Sequence, residues 1–373
     1  MQVALVYDRV NTAYGGAEQV LSALHELFPE APLYTALYDA KKTPWAKKFS
    51  QIRPSFLNKI KFLRNKHRWL AFLMPLAFES FDFSDYDLVI SVTSAEAKGI
   101  ITQTQTKHIC YLLTPPRYLY SHKSFYQKHS LFYRLPLLQQ LTNQLINYLT
   151  NWDQLAIHRP DVIIPISQLI KKRANKYYPQ VKIGPVIYPT VIDHQSTNKP
   201  VNQSTNYYLI VSRLVDYKKI DQAIIACQQL KKKLVIVGHG PEFGNLKFKI
   251  KNSPQIKIFP QVAKAKIAHL YQHCSALLMP GEEDFGIVAL EALSYGKPVI
   301  IHHSSGAAEL IQDKKTGLLL KNSHASTIKV AILEAENISW RPAIMKQTVG
   351  RNNQLVFKKQ LANLCKTISM SMR

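Results

Sequence analysis

The chain has 373 residues, with 48 Lys and Arg against 24 Asp and Glu, and a net charge of +24 at pH 7. At roughly 150 residues per domain the length points to about two domains. An apolar fraction of 46% is ordinary for a chain that buries a real core, which excludes a disordered tail, a collagen-like fibre and a small disulfide scaffold.

The N-terminus, MQVALVYDRV, carries no basic leader pattern and reads as a strand over Val3–Asp8, so no secretory signal is expected. Tyr14–Glu18 (YGGAE) follows, and a helix is expected over Glu18–Phe28. Gly15 and Gly16 open that helix, where backbone can approach a ligand closely. The next strand is expected at Leu33–Tyr38. Lys41–Arg68 then holds ten Lys and Arg and no acid, interleaved with Trp45, Phe49, Phe56 and Phe62. Aromatic and basic residues together suit an anionic membrane surface or single-stranded nucleic acid. A solvated face over an ordinary core is the plainer alternative. The longest apolar run, Trp69–Phe78, contains Pro75 and is shorter than the about 20 residues of a membrane span.

Further strands are expected at Leu88–Thr93, His108–Leu113, Val162–Ile166 and Pro185–Tyr188. Residues 113–150 contain no acid and read as helices inserted in the first domain; His108 reads as structural. His194–Asn206, polar and without periodicity, reads as a linker. Beyond it, strands are expected at Tyr208–Ser212, Leu234–Val237, Ile256–Phe259, Ala276–Met279 and Val299–His302. Helices are expected at Asp221–Lys232, Ala263–His273, Ile287–Tyr295 and Ala307–Gln312. Strands alternating with helices imply parallel sheets covered on both faces. The expected division is therefore 1–193, a linker at 194–206, 207–350, and a C-terminal helix at 351–373. The ligand is expected at the carboxyl ends of the strands, in a cleft between two α/β domains. Cys110, Cys227, Cys274 and Cys365 form no Cys-x-x-Cys pair, so neither a zinc site nor a disulfide framework is expected and a reducing cytosol fits.

Three segments carry chemistry. In Met279–Ile300 (MPGEEDFGIVALEALSYGKPVI), Glu283 sits in a loop after a strand and Glu291 about two turns along the following helix. Backbone N–H groups around Phe285 and Gly286 can donate to hydroxyl or phosphate oxygens. In Tyr208–Asp221 (YLIVSRLVDYKKID), a strand delivers Arg213 to its carboxyl end and Lys218 follows in the loop. Two cations there can neutralise a pyrophosphate, Arg as a planar fork and Lys as a point charge. Weaker turns of the same kind are Gly238–His239–Gly240 and Ser304–Ser305–Gly306.

On EDFGIVALEA with its following GKPVI, on SRLVDYKKID, and on YGGAEQVL, DLVISVTSAEAKG, TPPRYLYS, VIYPTVI, GAAELI and TGLLL, the chain resembles the retaining glycosyltransferases of family four. That resemblance implies the GT-B architecture: two Rossmann-like domains facing a central cleft, with the C-terminal helix returning to the first. It implies that Arg213 and Lys218 hold a donor diphosphate, that Glu283 with Phe285 and Gly286 contacts the donor sugar, and that Glu291 binds the ribose. Gly15, Gly16 and Gly238 would lie against the donor. Many relatives carry a His before the Thr-Pro of the TPxRY segment; Leu113 stands there in this chain, which leaves Thr114, Arg117 and Tyr118 to shape the acceptor side.

The implied function is metal-independent, retaining transfer of a hexose from a nucleotide diphosphate sugar, GDP-mannose favoured, to a saccharide or lipid-linked acceptor in polysaccharide or glycolipid synthesis. No cofactor beyond that donor substrate is implied. The expected place is the inner face of the cell membrane, held peripherally from the cytoplasm. Another sugar-nucleotide enzyme of the same architecture, an epimerase or phosphorylase, is the alternative. A nucleic-acid-binding protein is prompted by charge alone, with no helix-turn-helix, RRM or zinc signature behind it, and no nucleic-acid partner is expected.

Overall fold

The computed structural model describes residues 1–12, 14–60, 67–123, 136–190 and 206–370. The expected linker lies outside the described residues except for Asn206, as do Phe62 and the neighbouring part of the basic segment. The chain forms two compact units, Met1–Pro189 with Phe357–Arg373, and Thr190–Val356.

The first unit holds a six-stranded sheet: β1 (Val3–Tyr7), β2 (Leu33–Thr35), β3 (Ile52–Pro54), β4 (Leu88–Thr93), β5 (Lys107–Leu112) and β6 (Val162–Pro165). The second holds β7 (Tyr207–Val211), β8 (Lys233–Val237), β9 (Ile256–Phe259), β10 (Ala276–Met279), β11 (Val299–His302) and β12 (Gly317–Leu320). Spatial order is β3-β2-β1-β4-β5-β6 in one sheet and β12-β11-β10-β7-β8-β9 in the other, and every pairing is parallel. Each order is that of a doubly wound Rossmann-type sheet, whose direction of winding reverses at the β1/β4 and β7/β10 boundaries. β1, β4 and β10 are buried along their whole length, as strands covered on both faces must be. Separate apolar cores fill the two units, one around Val6, Phe78 and Val89, the other around Ile210, Ile224 and Ile332.

From Phe357 onward the C-terminal helix Gln354–Met370 belongs to the first unit. There the Phe357 ring meets Tyr111 edge-on at 5.8 Å, and Lys358 pairs with Glu26. Among the described residues no helix is long and apolar enough to cross a membrane.

Local expectations are corrected in four places. Pro185–Tyr188 is not a strand: Pro185 has no N–H, and the segment follows β6 only through isolated bonds such as Gly184 N–H to Ile163 O (2.8 Å) and Ile187 N–H to Pro165 O (3.3 Å). The turn after Ser305 is a single 3₁₀ helix, Gly306–Leu310, rather than an α-helix over Ala307–Gln312. The second strand ends at Thr35, and Tyr38 makes only an isolated bridge with Val10. Edge strands β3 and β12 were not expected, being three and four residues long.

His108 is structural. It lies wholly buried in β5, with Nε2 2.8 Å from Ser91 Oγ. Burial pushes its pKa down to about 3, outweighing the opposing pull of Asp161. An unfolded His titrates near 6.5, so below that pH the unfolded chain binds the extra proton. The stability that His108 contributes should be complete above about pH 6.5 and fall by up to about 1.4 kcal/mol per pH unit as pH drops toward 3. Urea midpoints for the wild type and His108→Gln, compared at neutral and at mildly acidic pH, should diverge in slope. Parallel pH profiles would remove His108 as the cause.

Candidate active site

In the second unit the β7/β10 boundary places two loops side by side. β7 ends at Val211, and Arg213 emerges exposed, its Nη2 donating to Tyr217 Oη at 3.0 Å. A 3₁₀ turn, Asp216–Lys218, then folds Lys218 inward until it is 3% exposed. Its Nζ is ion-paired with Glu283 Oε2, donates to Glu282 O at 3.3 Å, and sits 5.0 Å from the Tyr217 ring centroid. Arg213, Tyr217, Lys218 and Glu283 thus form one connected cluster.

Gly281 makes this pairing possible. A Cβ on it would lie 2.4 Å from Tyr217 O and 2.5 Å from Lys218 Cα, so a side chain there would drive the two loops apart. On its other side the Glu283 loop is held by Ser305, whose Oγ accepts from Glu283 N–H at 3.1 Å. Gly306 N–H donates to Glu283 O (2.9 Å) and Ala307 N–H to Phe285 O (2.7 Å). Phe285 is buried. Gly286 caps the helix Ile287–Ser294 at φ +93°, a left-handed geometry that favours glycine. At the start of that helix Ala289 N–H donates to Gly286 O at 2.9 Å, and the first N–H groups of a helix lack carbonyl partners one turn back.

Glu291 stands in the second turn of the same helix. Its Oε2 accepts from Tyr271 Oη at 2.8 Å. Burial and the nearby carboxylate push the Tyr271 phenol far above its ordinary pKa, so it stays a hydrogen-bond donor. The Tyr271 ring is stacked on Tyr295 at 5.6 Å with 8° between planes. This fixes one carboxylate oxygen and aims the group. Gly238 has a packing reason for being glycine: its Cβ would lie 1.8 Å from Ser212 O, and that of Gly240 2.2 Å from Leu214 O. The turn after β8 packs directly on the exit of β7.

In the first unit, Gly15 caps the helix Gly16–Leu27. Its N–H donates to Glu18 Oε2 at 2.9 Å, and Glu18 Oε1 accepts from Tyr7 Oη at 2.9 Å. Burial raises the Glu18 pKa, which marks it as an internal brace for the glycine turn. At the β1/β4 boundary, Asp8 accepts from Thr93 Oγ1 (2.8 Å), Ser94 N–H (2.7 Å) and Ala97 N–H (2.9 Å). Next to it, buried Glu96 accepts from Tyr118 Oη at 2.6 Å and pairs with Arg9 at 3.4 Å. Burial lifts the Glu96 pKa while Arg9 pulls it down. Thr114 is buried and Arg117 half-buried, and Arg117 O accepts from His122 N–H at 2.9 Å. Leu113 N–H donates to Thr93 O (2.8 Å), extending the β4–β5 ladder by one bond.

Sequence reasoning missed Tyr217, Gly281 and Tyr271 in the second unit, and Asp8, Arg9 and Glu96 in the first. Asp8 and Arg9 end an apolar strand, the same signal that singled out Arg213. The chain also contains an Asp-x-Asp, Asp85–Tyr86–Asp87, which has to be weighed against metal independence. It precedes β4, at the amino-terminal edge of the sheet, where Asp87 accepts from Gln2 N–H at 2.6 Å. Among the described residues no group of three or more His, Cys, Asp or Glu could hold a metal ion.

Residues 191–353 match the family model described as glycosyl transferases group 1. An uncharacterized glycosyltransferase of Methanocaldococcus jannaschii is 29% identical over 205 residues, 53% of this chain and 55% of that protein. Alpha-monoglucosyldiacylglycerol synthase of Streptococcus pneumoniae is 26% identical over 203 residues, 48% of this chain and 45% of that protein. The chain thus spans about half the length of these curated relatives. Among solved structures, Anabaena HepE in complex with UDP superposes with a TM-score of 0.68 at 19% identity, covering 98% of this chain and 100% of that one. The architecture is therefore GT-B, two Rossmann-type sheets in one chain.

Proposed function

We propose that this chain, taking the group 1 match over residues 191–353 as premise, is a glycosyltransferase that moves a hexosyl group from a nucleotide diphosphate sugar to a saccharide or lipid-linked hydroxyl with retention at the anomeric carbon. The observation that carries the reading is the Lys218–Glu283 ion pair at the β7/β10 boundary, where a doubly wound sheet binds its ligand. Lys218 and Arg213 would take the diphosphate and stabilise it as it departs. Glu283, released from Lys218, would accept from a sugar hydroxyl beside Phe285 and Gly286. Glu291, already oriented by Tyr271, would bridge the ribose diol. The departing phosphate would accept the acceptor's proton, so no carboxylate nucleophile is required. Gly15, Gly16 and Gly238 would serve the donor through backbone, and Thr114, Arg117 and Tyr118 the acceptor.

GDP-mannose is the donor to test first. UDP-glucose is the second, because UDP occupies HepE and one relative is named for monoglucosyldiacylglycerol synthesis. A ligand at a hundred times its Kd stabilises by about 2.7 kcal/mol, so melting temperature should rise with one nucleotide diphosphate and its sugar and stay flat with the other. Two cations are present to do a metal's work, so that rise and any sugar transfer should persist in EDTA. No nucleotide-dependent shift at all would sink the reading, and a shift or transfer lost in chelator and restored by Mg²⁺ or Mn²⁺ would sink its metal independence.

The acceptor reading includes peripheral attachment, from the cytoplasmic side, to the inner face of the cell membrane. Lys41, Lys42, Lys47, Lys48, Arg53 and Lys59 are exposed, and Phe56, Phe72 and Leu76 are exposed at 41%, 52% and 52%. Phe49 is buried and Trp45 donates to Thr12 O at 3.1 Å, so among the described aromatics of the segment Phe56 is the one placed to meet lipid. Binding to phosphatidylglycerol vesicles should exceed binding to neutral ones. It should weaken with salt as the Debye length falls from about 10 Å at 0.1 M to about 3 Å at 1 M. Equal binding to both lipids would return the segment to a solvated face.

A further inference from the structure

Between Glu242 and Glu282 the chain carries six lysines and no acid. Part of this stretch lines an open groove of about 620 Å³ on the second unit, formed by the helix Phe243–Lys249, the turn after it and the edge strand β9. Ile250, Ile258 and Phe259 make its floor, and Lys247, Lys251 and Lys257 stand on its rim. Phe248 projects from the same rim at 76% exposure, the most exposed large apolar side chain among the described residues. Lys249 is paired with Asp221 at 3.5 Å. No carboxylate among the described residues pairs with Lys247, Lys251 or Lys257. Lys266 lies 4.5 Å over the Phe259 ring, adding positive charge at the end of the groove.

We propose that this groove docks the second unit on an anionic phospholipid surface, with Phe248 among the acyl chains and Lys247, Lys251 and Lys257 on lipid phosphates. An apolar floor, a protruding Phe and uncompensated lysines around both complement a headgroup layer in which charge lies just above hydrocarbon. Single-stranded nucleic acid fits less well, because it is held by successive aromatics that stack bases and this floor is largely aliphatic. The site is separate from Lys218 and Glu283 and from the basic segment of the first unit, and it requires nothing of the transfer reaction.

All four native cysteines are buried, so a Phe248→Cys variant accepts an environment-sensitive fluorophore at one position. Its emission should brighten and shift to the blue with phosphatidylglycerol vesicles and not with phosphatidylcholine vesicles. A label at Val330→Cys, 65% exposed and on another helix of the same unit, should not respond. Replacing Lys247, Lys251 and Lys257 together by Gln should lower vesicle partitioning on the order of 100-fold. A vesicle-bound protein whose position-248 label stays in water would overturn the proposal, even if membrane binding through the first unit persists. No binding to anionic vesicles, or a label that responds to single-stranded RNA and ignores vesicles, would overturn it as well.

Discussion

Replacing Lys218 by Met should weaken nucleotide diphosphate binding by about 10- to 100-fold, since losing a charged hydrogen-bond partner costs about 1.5–3 kcal/mol. Arg213→Ala should cost a similar factor, yet the two variants should differ in folding. Arg213 is exposed, so its removal should leave stability within about 0.5 kcal/mol. Lys218 is 3% exposed and neutralises Glu283, whose side chain is 21% exposed. Removing the cation leaves a carboxylate partly out of water. The expected cost is about 1–2 kcal/mol, below the 3–5 kcal/mol of a fully buried pair because Glu283 keeps some solvent. Glu283→Gln added to Lys218→Met should recover part of that stability without recovering binding. Calorimetry and urea denaturation on the same proteins separate the two effects. Unchanged affinity in both single variants would remove the phosphate-clamp assignment.

Gly281→Ala should be the most damaging small substitution in the second unit. The added methyl would meet Tyr217 O at 2.4 Å and Lys218 Cα at 2.5 Å. Both atoms are backbone, so no side chain can rotate away. Overpacking of this kind costs about 3 kcal/mol at the upper end of its range. The relief available, separating the Glu283 loop from the Asp216–Lys218 turn, also breaks the Lys218–Glu283 pair. Donor binding should therefore fall together with stability. Gly244→Ala is the control: nothing lies within 4 Å of its Cβ position, and a helical Gly-to-Ala change there should stabilise by up to about 1 kcal/mol. A Gly281→Ala protein with wild-type melting and wild-type nucleotide affinity would refute the close-approach argument.

Apart from edge strands β3 and β12 and the segment Pro185–Tyr188, the chain's order of strands was legible from sequence because strands covered on both faces are continuous apolar runs. The alternation of β7, the helix Ile220–Gln229, β8 and the elements that follow leaves one sheet type open. The residues at the ends of those runs were legible for a related reason. Arg213 after YYLIV and Glu283 after ALLM interrupt apolar strands with charge, and in a parallel sheet such positions face the ligand edge. The sequence also places Glu291 about two turns along its helix.

Tertiary structure decided what these residues touch. Lys218 and Lys219 are adjacent and chemically equivalent in sequence. The 3₁₀ turn buries the first against Glu283 and leaves the second at φ +51°, its ammonium within 3.4 Å of Asp216. Nothing local in either residue encodes that choice, because it depends on a loop from β10 closing over the turn through Gly281. Glycine itself was ambiguous: Gly15 and Gly238 read alike as openings for a ligand, and Gly281 carried no signal of its own. Packing assigns Gly15 to a capping turn and the other two to backbone crossings. The strand expected at Pro185–Tyr188 failed because apolar content does not supply the ladder N–H that proline lacks. The pairing of Glu96 with Tyr118 and Arg9 joins three separate segments of the first unit. Apolar pattern thus carries the architecture, since burial is a property each strand and helix expresses along its own length. The partners of each buried charge are set only where distant loops meet.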